Sequence, residues 1–127
     1  MTDQDCPCGS GLAYAECCQP LIDSRQQAGT AEQLMRSRYA AFAVGAADHL
    51  WRTWHPSTRP AEVTLGDQVW LGLEIVDVVA GGPEDADGIV EFVARYRAGG
   101  TPGRLHERSR FRRRANRWFY LDAEPTP

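Results

Sequence analysis

Four cysteines carry the clearest chemistry in this 127-residue sequence, and all of them fall between positions 6 and 18. Cys6-Pro7-Cys8-Gly9-Ser10-Gly11 sets two thiols one residue apart on a Pro/Gly turn, and Cys17-Cys18 adds an adjacent pair a loop's length later. At the spacing C-x-C-x8-C-C the four sulfurs can converge tetrahedrally on one Zn²⁺, and four thiolates fill its coordination sphere, so such an ion is structural. A segment this short buries no core of its own; metal binding and chain ordering become one event. Two other readings compete. Disulfides suit oxidising compartments, whereas the polar, acidic start Met1-Thr2-Asp3-Gln4-Asp5 is not a signal segment and points to a reducing cytosol. A redox dithiol wants C-x-x-C at a helix N-terminus, a spacing this segment lacks. Metal ligation is the expectation, with disulfides or free thiols as the alternatives.

A second candidate chemistry lies in the C-terminal half, where Glu107 and Asp122 sit in alternating apolar stretches. A carboxylate in an apolar setting must be paired, protonated or facing a wet pocket. In the paired reading, Arg36 or Arg38 supplies the guanidinium and locks helix to sheet. In the functional reading Glu107 is a general base in a cavity between helices and curved sheet, with Tyr39, His55, Tyr96 and Ser109 orienting a small ligand. Pairing is the stronger of the two, because structural ion pairs perturb a carboxylate as readily as active sites do. His55, before a proline and among tryptophans, reads as a satisfied half-buried histidine. Trp51, Trp54, Trp70 and Trp118 read as core.

The elements that must position these residues follow from periodicity. Gln19 to Gly29 is polar and reads as a loop or frayed turn. Thr30, with Gln33 three residues on, is a capping box opening a helix through Leu34, Met35, Arg38, Tyr39, Phe42 and Ala46, with Gly45 near its end. A short second helix from Asp48 stops at His55-Pro56. Pro56 to Gly66 is a connection with room for a short edge strand. Beyond it the period drops to two, predicting strands over Val69–Val79, Ile89–Arg97, Leu105–Arg114 and Arg117–Ala123. Gly81-Gly82-Pro83, Gly99 to Gly103 and Ala115-Asn116 mark the turns, and connections this short imply an antiparallel meander. Closing the last hairpin at Ala115-Asn116 pairs Phe111 with Tyr120 and Ser109 with Asp122. A turn centred near Gly100 pairs Phe92 with Ser109 and Ala94 with Glu107. The helix-covered face then carries Val90, Phe92, Ala94, Tyr96, Leu105, Phe111, Trp118 and Tyr120, with Glu107, Ser109 and Asp122 among them; a one-residue slip would invert the sorting.

Bulk composition narrows the partners. Hydrophobic residues make up 43% of the chain, enough for one domain's core. No apolar run approaches the roughly 18 residues of a membrane span. A net charge of −3 gives no global reason to expect nucleic acid. All 14 basic residues are arginine, and Arg104, Arg108, Arg110, Arg112 and Arg114 join His106 on the outer face of one strand. Glu91 is expected opposite Arg110. A solvated, cross-paired face is favoured over a nucleic-acid stripe.

The cysteine segment resembles the SEC-C zinc motif known from the tail of the SecA translocation ATPase. Met35-Arg-Ser-Arg-Tyr39-Ala-Ala-Phe42, Thr53-Trp-His-Pro-Ser57, Trp70-Leu-Gly-Leu73, Phe92-Val-Ala-Arg95, Glu107-Arg-Ser-Arg-Phe111 and Trp118 to Asp122 are similar to the YchJ family of bacterial proteins. The resemblance implies an α+β, NTF2-like cone in which helices lie in the concavity of a strongly curved antiparallel sheet of four to six strands. It implies a SEC-C-like zinc segment over 1–22, the cone over 30–123 and a disordered tail over 124–127. NTF2-like cones host either a small-molecule pocket, catalytic in ketosteroid isomerase, or a protein-binding face. In SecA the motif binds zinc and the chaperone SecB; here the spacer Leu12-Ala-Tyr-Ala-Glu16 is apolar where relatives are commonly lysine-rich. The expectation is a cytosolic binding module: zinc on Cys6, Cys8, Cys17 and Cys18, a protein partner at the clip, and a small ligand in the cone. A carboxylate enzyme is the first alternative and nucleic-acid binding through the arginine face the second.

Overall fold

The computed structural model describes residues 4–124. The tail expected to be disordered lies, from residue 125 on, outside the described residues, as do the first three residues of the cysteine segment. A single 3-10 turn over Tyr14–Glu16 leads into α1 (Gln19–Ile22), followed by α2 (Ala31–Val44) and α3 (Ala47–Arg52). Four strands follow: β1 (Val69–Ala80), β2 (Asp87–Ala98), β3 (Thr101–Arg114) and β4 (Arg117–Glu124). They form one antiparallel sheet in the order β1-β2-β3-β4.

Local chemistry explains the helix that covers this sheet. The Thr30 hydroxyl accepts from the Gln33 N–H at 3.1 Å, while the Gln33 side chain reaches back to the Gly29 N–H at 2.6 Å. Two otherwise unmade helix-end donors are thereby satisfied. Gly45, at φ 83°, closes the helix in the left-handed conformation that costs glycine nothing. The start of α2 docks on the β1–β2 connection through Ala31 N–H to Gly81 O at 2.9 Å. A Cβ on Gly81 would stand 2.8 Å from the Ala31 Cβ, so that approach requires glycine. α2 lays Leu34, Met35, Tyr39, Ala40 and Ala41 into the core against Val90, Phe92, Ala94, Phe111 and Trp118.

The sheet departs from the sequence reading in three places. The β2–β3 turn is the pair Gly99-Gly100, both at positive φ, and Thr101, Pro102 and Gly103 already belong to β3. Among the described residues β4 reaches back only to Arg108, so no described strand pairs with the far edge of residues 101–107, where a proline is tolerated. The two-residue shift pairs Phe92 with Glu107 and Val90 with Ser109, which leaves every side chain on its expected face. The β3–β4 ladder is interrupted between Arg110 and Phe111: Phe111 pairs with Tyr120, but Arg110 pairs with Asp122 and Ser109 with Ala123. That one-residue bulge turns Asp122 to the outer face. Lastly, the Pro56–Gly66 connection contains no strand; beside it, Trp54 makes a single parallel bridge to Tyr120. With two further irregularities in β1, at Trp70/Gly72 and Ile75/Asp77, the sheet curves around the helices.

Candidate metal centre and ligand pocket

The N-terminal segment is a knuckle that brings sulfur to sulfur. Cys6 N–H donates to Leu12 O at 2.9 Å and Gly9 N–H to Cys6 O at 3.1 Å, with Gly9 and Gly11 at φ 79° and 86° making the reversal. The 3-10 turn then delivers Cys17, and Cys18 caps α1. All four Sγ atoms lie within 4.8 Å of one another. Cys8 and Cys17 are 3.6 Å apart, and Cys17 and Cys18 3.8 Å. A tetrahedral ion with bonds of about 2.3 Å to sulfur needs edges of about 3.8 Å, so the set fits a tetrathiolate centre. Hydrogen bonding from the Cys18 thiol, opposed by burial, holds Cys8 down to about 4, while burial pushes Cys6 up to about 11. Cys18, bonded to Cys8 and buried, is raised further. Crowded together without a cation, the sulfurs favour one shared thiolate; a bound dication removes that restriction.

This knuckle is no loose appendage. Cys6, Cys8 and Cys18 are 4%, 0% and 2% exposed and belong to the same buried cluster as Leu34, Met35 and Phe111. Arg36 on α2 donates to Cys8 O at 2.8 Å and to Glu32 at 3.0 Å, tying segment to helix. That contact corrects the expectation that Arg36 serves a sheet carboxylate.

The second feature is a cavity of about 220 Å³ between α2 and the concave sheet face. Tyr39, Trp54, Trp70 and Phe92 supply aromatic wall, and Arg38, Glu107, Ser109 and Tyr120 its polar groups. Tyr39 and Trp70 meet edge-on at 5.8 Å, as do Trp54 and Tyr120 at 5.2 Å. Glu107 Oε1 accepts from the Tyr120 hydroxyl at 3.1 Å and from Ser109 at 3.2 Å. Arg38 is 5% exposed. It donates to Leu50 O at 2.8 Å and Thr53 Oγ1 at 2.7 Å, and its guanidinium lies 4.7 Å from the Tyr120 ring centre. Burial lowers Arg38 to about 10, against the opposing pull of Tyr120 and Glu107, so it stays cationic at neutral pH. Burial, and then the charge of Glu107, raises the Tyr120 phenol, which keeps it a donor.

Residues 30–123 match the family model described as YchJ, middle NTF2-like domain, and residues 4–20 match the SEC-C motif. The chain belongs to the YchJ family. It is 48% identical over 120 residues to a UPF0225 protein of Chromobacterium violaceum, covering 91% of this chain and 89% of that one. It is 47% identical to the UPF0225 protein of Streptomyces coelicolor, covering 98% of both. Among solved structures, the SEC-C motif protein of Rhodopseudomonas palustris superposes with a TM-score of 0.83 at 35% identity, over 98% of this chain and all of that one. A SEC-C motif protein from Psychrobacter arcticus gives 0.76 at 28% identity, over 98% of this chain and 85% of that one. YchJ-type domain and SEC-C motif thus account for the NTF2-like, four-stranded antiparallel fold and the cysteine cluster together.

Within this YchJ-family chain the sequence-derived pocket residues separate into two groups. Arg38, Tyr39, Glu107 and Ser109 meet in the cavity wall. Tyr96 packs on Trp70, ring centres 5.4 Å apart, beside that wall. His55 is elsewhere: its Nδ1 accepts from Ser57 N–H at 3.1 Å and its ring meets Phe119 at 5.8 Å, on the far side of β4. Asp122 is also elsewhere, held by Nε and Nη2 of Arg110 at 2.5 and 2.6 Å, and the guanidinium keeps its carboxyl below the usual range. The expected ion pair of Glu107 with Arg36 or Arg38 is replaced by two hydroxyl donors; among the described residues no guanidinium nitrogen lies within ion-pair distance of Glu107. Trp54 and Trp70, read as core, complete the wall together with Met35 and Phe42; the Trp70–Tyr96 pairing across β1 and β2 is the signal that would have placed Trp70 there.

Proposed function

We propose that the protein is a zinc-clipped binding module: Zn²⁺ on Cys6, Cys8, Cys17 and Cys18 pins the N-terminal segment to the domain, and the aromatic cavity receives a small ligand. The observation that carries this reading is Glu107. Its Oε1 is held by Tyr120 and Ser109, while Oε2 has no protein donor among the described residues. An apolar ring between Trp54 and Trp70, carrying one N–H or O–H, would meet that oxygen. Four uncrossed thiols suit a reducing cytoplasm.

The arginine-rich sheet face stands outside this reading because its charge is cross-paired. Arg108 reaches Asp77, Glu91 and Glu124 at 3.1, 2.7 and 3.2 Å, Arg110 engages Asp122, and His106 bonds Glu91 at 2.6 Å. Indole, an apolar ring with a single donor, is the probe for the cavity. Indole should move the amide and side-chain resonances of Tyr39, Trp54, Trp70 and Tyr120, and Glu107→Gln should bind it about tenfold more weakly without loss of fold. Unperturbed wall resonances in the wild type at millimolar indole would rule the reading out.

A further inference from the structure

The aromatic cavity holds two opposite charges that the fold keeps unpaired. Arg38 and Glu107 both line it, and among the described residues no ion pair joins them. The Tyr120 ring links them instead. Its hydroxyl donates to Glu107 Oε1 at 3.1 Å, and the Arg38 guanidinium lies over its face, 4.7 Å from the ring centre. The same guanidinium lies 5.4 Å from the Trp54 ring centre.

Donor counting shows what each charge still lacks. Arg38 Nη1 spends both its hydrogens, on Leu50 O at 2.8 Å and on Thr53 Oγ1 at 2.7 Å. Nε and Nη2 have no acceptor among the described residues. Neither is sealed in: the enclosed side-chain polar atom without a partner among the described residues is His49 Nδ1, so both Arg38 nitrogens keep accessible surface. Arg38 is only 5% exposed, and the rings its guanidinium lies against both line this cavity, so the surface it keeps opens there. Stacking occupies the face of a guanidinium and leaves its in-plane donors available. On Glu107, Oε1 is taken by Tyr120 and Ser109, and Oε2 has no protein donor among the described residues. An unused donor and an unused acceptor thus open on one apolar space of about 220 Å³.

We propose that this cavity takes a small planar lactam, a fused ring whose carbonyl accepts from Arg38 Nε or Nη2 and whose adjacent N–H donates to Glu107 Oε2. This assignment rests on the aromatic cavity being a ligand site, and adds the second half of the ligand's polar edge. Opposite demands at one place select a group that is donor and acceptor at once. A ring with an N–H alone leaves the guanidinium without an acceptor, and a ring with a carbonyl alone leaves Oε2 without a donor. A zwitterion would meet both demands, but stripping water from two full charges costs far more than stripping it from an amide dipole. Tyr39, Phe42, Trp70 and Phe92 offer the flat ring an aromatic wall.

The test uses the full chain purified without chelator, titrated with carbostyril, indole, coumarin and tryptophan. Carbostyril carries the adjacent N–H and C=O; indole keeps only the N–H, and coumarin has a ring oxygen where carbostyril has the N–H. Dissociation constants come from the resonances of Tyr39, Trp54, Trp70 and Tyr120, and the guanidinium N–H resonances of Arg38 report the carbonyl. Carbostyril should bind more tightly than indole by about tenfold or more, and should move Arg38 where indole does not. Coumarin should fall short of carbostyril by a similar factor. Arg38 ties α2 to α3, so replacing it endangers the fold; the ligand series, run on the wild type, carries the test without that risk. Indole bound with carbostyril no tighter overturns the lactam assignment and leaves the cavity reading standing. So does coumarin equal to carbostyril. Tryptophan bound more tightly than carbostyril overturns it too, in favour of a zwitterion. Silence from every ligand refutes the cavity reading itself, and the lactam with it.

Discussion

Replacing His49 with glutamine should flatten the pH dependence of stability, by an amount that the structure sets. The imidazole is buried, faces the cations Arg38 and Arg52, and is only weakly helped by Asp48, so it is lowered from 6.5 to about 4 in the folded protein. In the unfolded chain it takes up a proton near 6.5; in the folded chain it refuses one until about 4. Between those values the unfolded state binds more protons, so stability falls as pH drops. The full loss is about 3 kcal/mol, of which about 2 kcal/mol accrues between pH 7 and pH 5. Glutamine has an N–H that can still donate to Ser37 and no group that titrates. The assay is urea unfolding of wild type and His49→Gln at both pH values. Loss of metal by protonated thiolates, and titration of His55, act on both proteins and cancel in the comparison. The variant's own stability can differ at pH 7; only the slopes matter. The wild type should lose about 2 kcal/mol more than the variant on going to pH 5. Equal slopes would show that burial beside Arg38 and Arg52 does not suppress protonation of His49.

Two further outcomes follow from the placement of the other groups. Cys8→Ser should release the metal and lower the stability of the whole domain by about 4 kcal/mol or more, because Cys8 is fully buried in the shared core and its carbonyl is tied to Arg36. Metal analysis with thermal unfolding checks this, and an unchanged midpoint in metal-free variant would make the knuckle an independent appendage. Asp122→Asn should cost little, and that little should vanish in high salt, since the pair with Arg110 is 39% and 47% exposed. A large, salt-insensitive loss of midpoint would return Asp122 to the covered face.

What was legible from sequence was what is local in the chain. The four cysteines fall within thirteen consecutive residues on glycine turns, so ligand type and spacing alone bring their sulfurs together, and the described sulfurs lie within 4.8 Å. The Thr30–Gln33 box, Gly45 and the Ala115-Asn116 turn likewise specify their own backbone, and α2 and the last hairpin stand where the sequence reading put them. Tertiary structure decided three things. One extra residue on β4, Leu121, left unpaired between Tyr120 and Asp122, reversed the face of Asp122, because side chains alternate with a period of two and a bulge is invisible to alternation. The Glu107 carboxylate took hydroxyl partners in place of a guanidinium because Ser109 stands two residues along the same face of β3 and the β4 pairing supplies Tyr120, while Arg38 Nη1 is engaged by Leu50 O and Thr53. That His49 Nε2 meets the Ser37 hydroxyl while its Nδ1 finds no partner among the described residues follows only from the packing of α2 against α3.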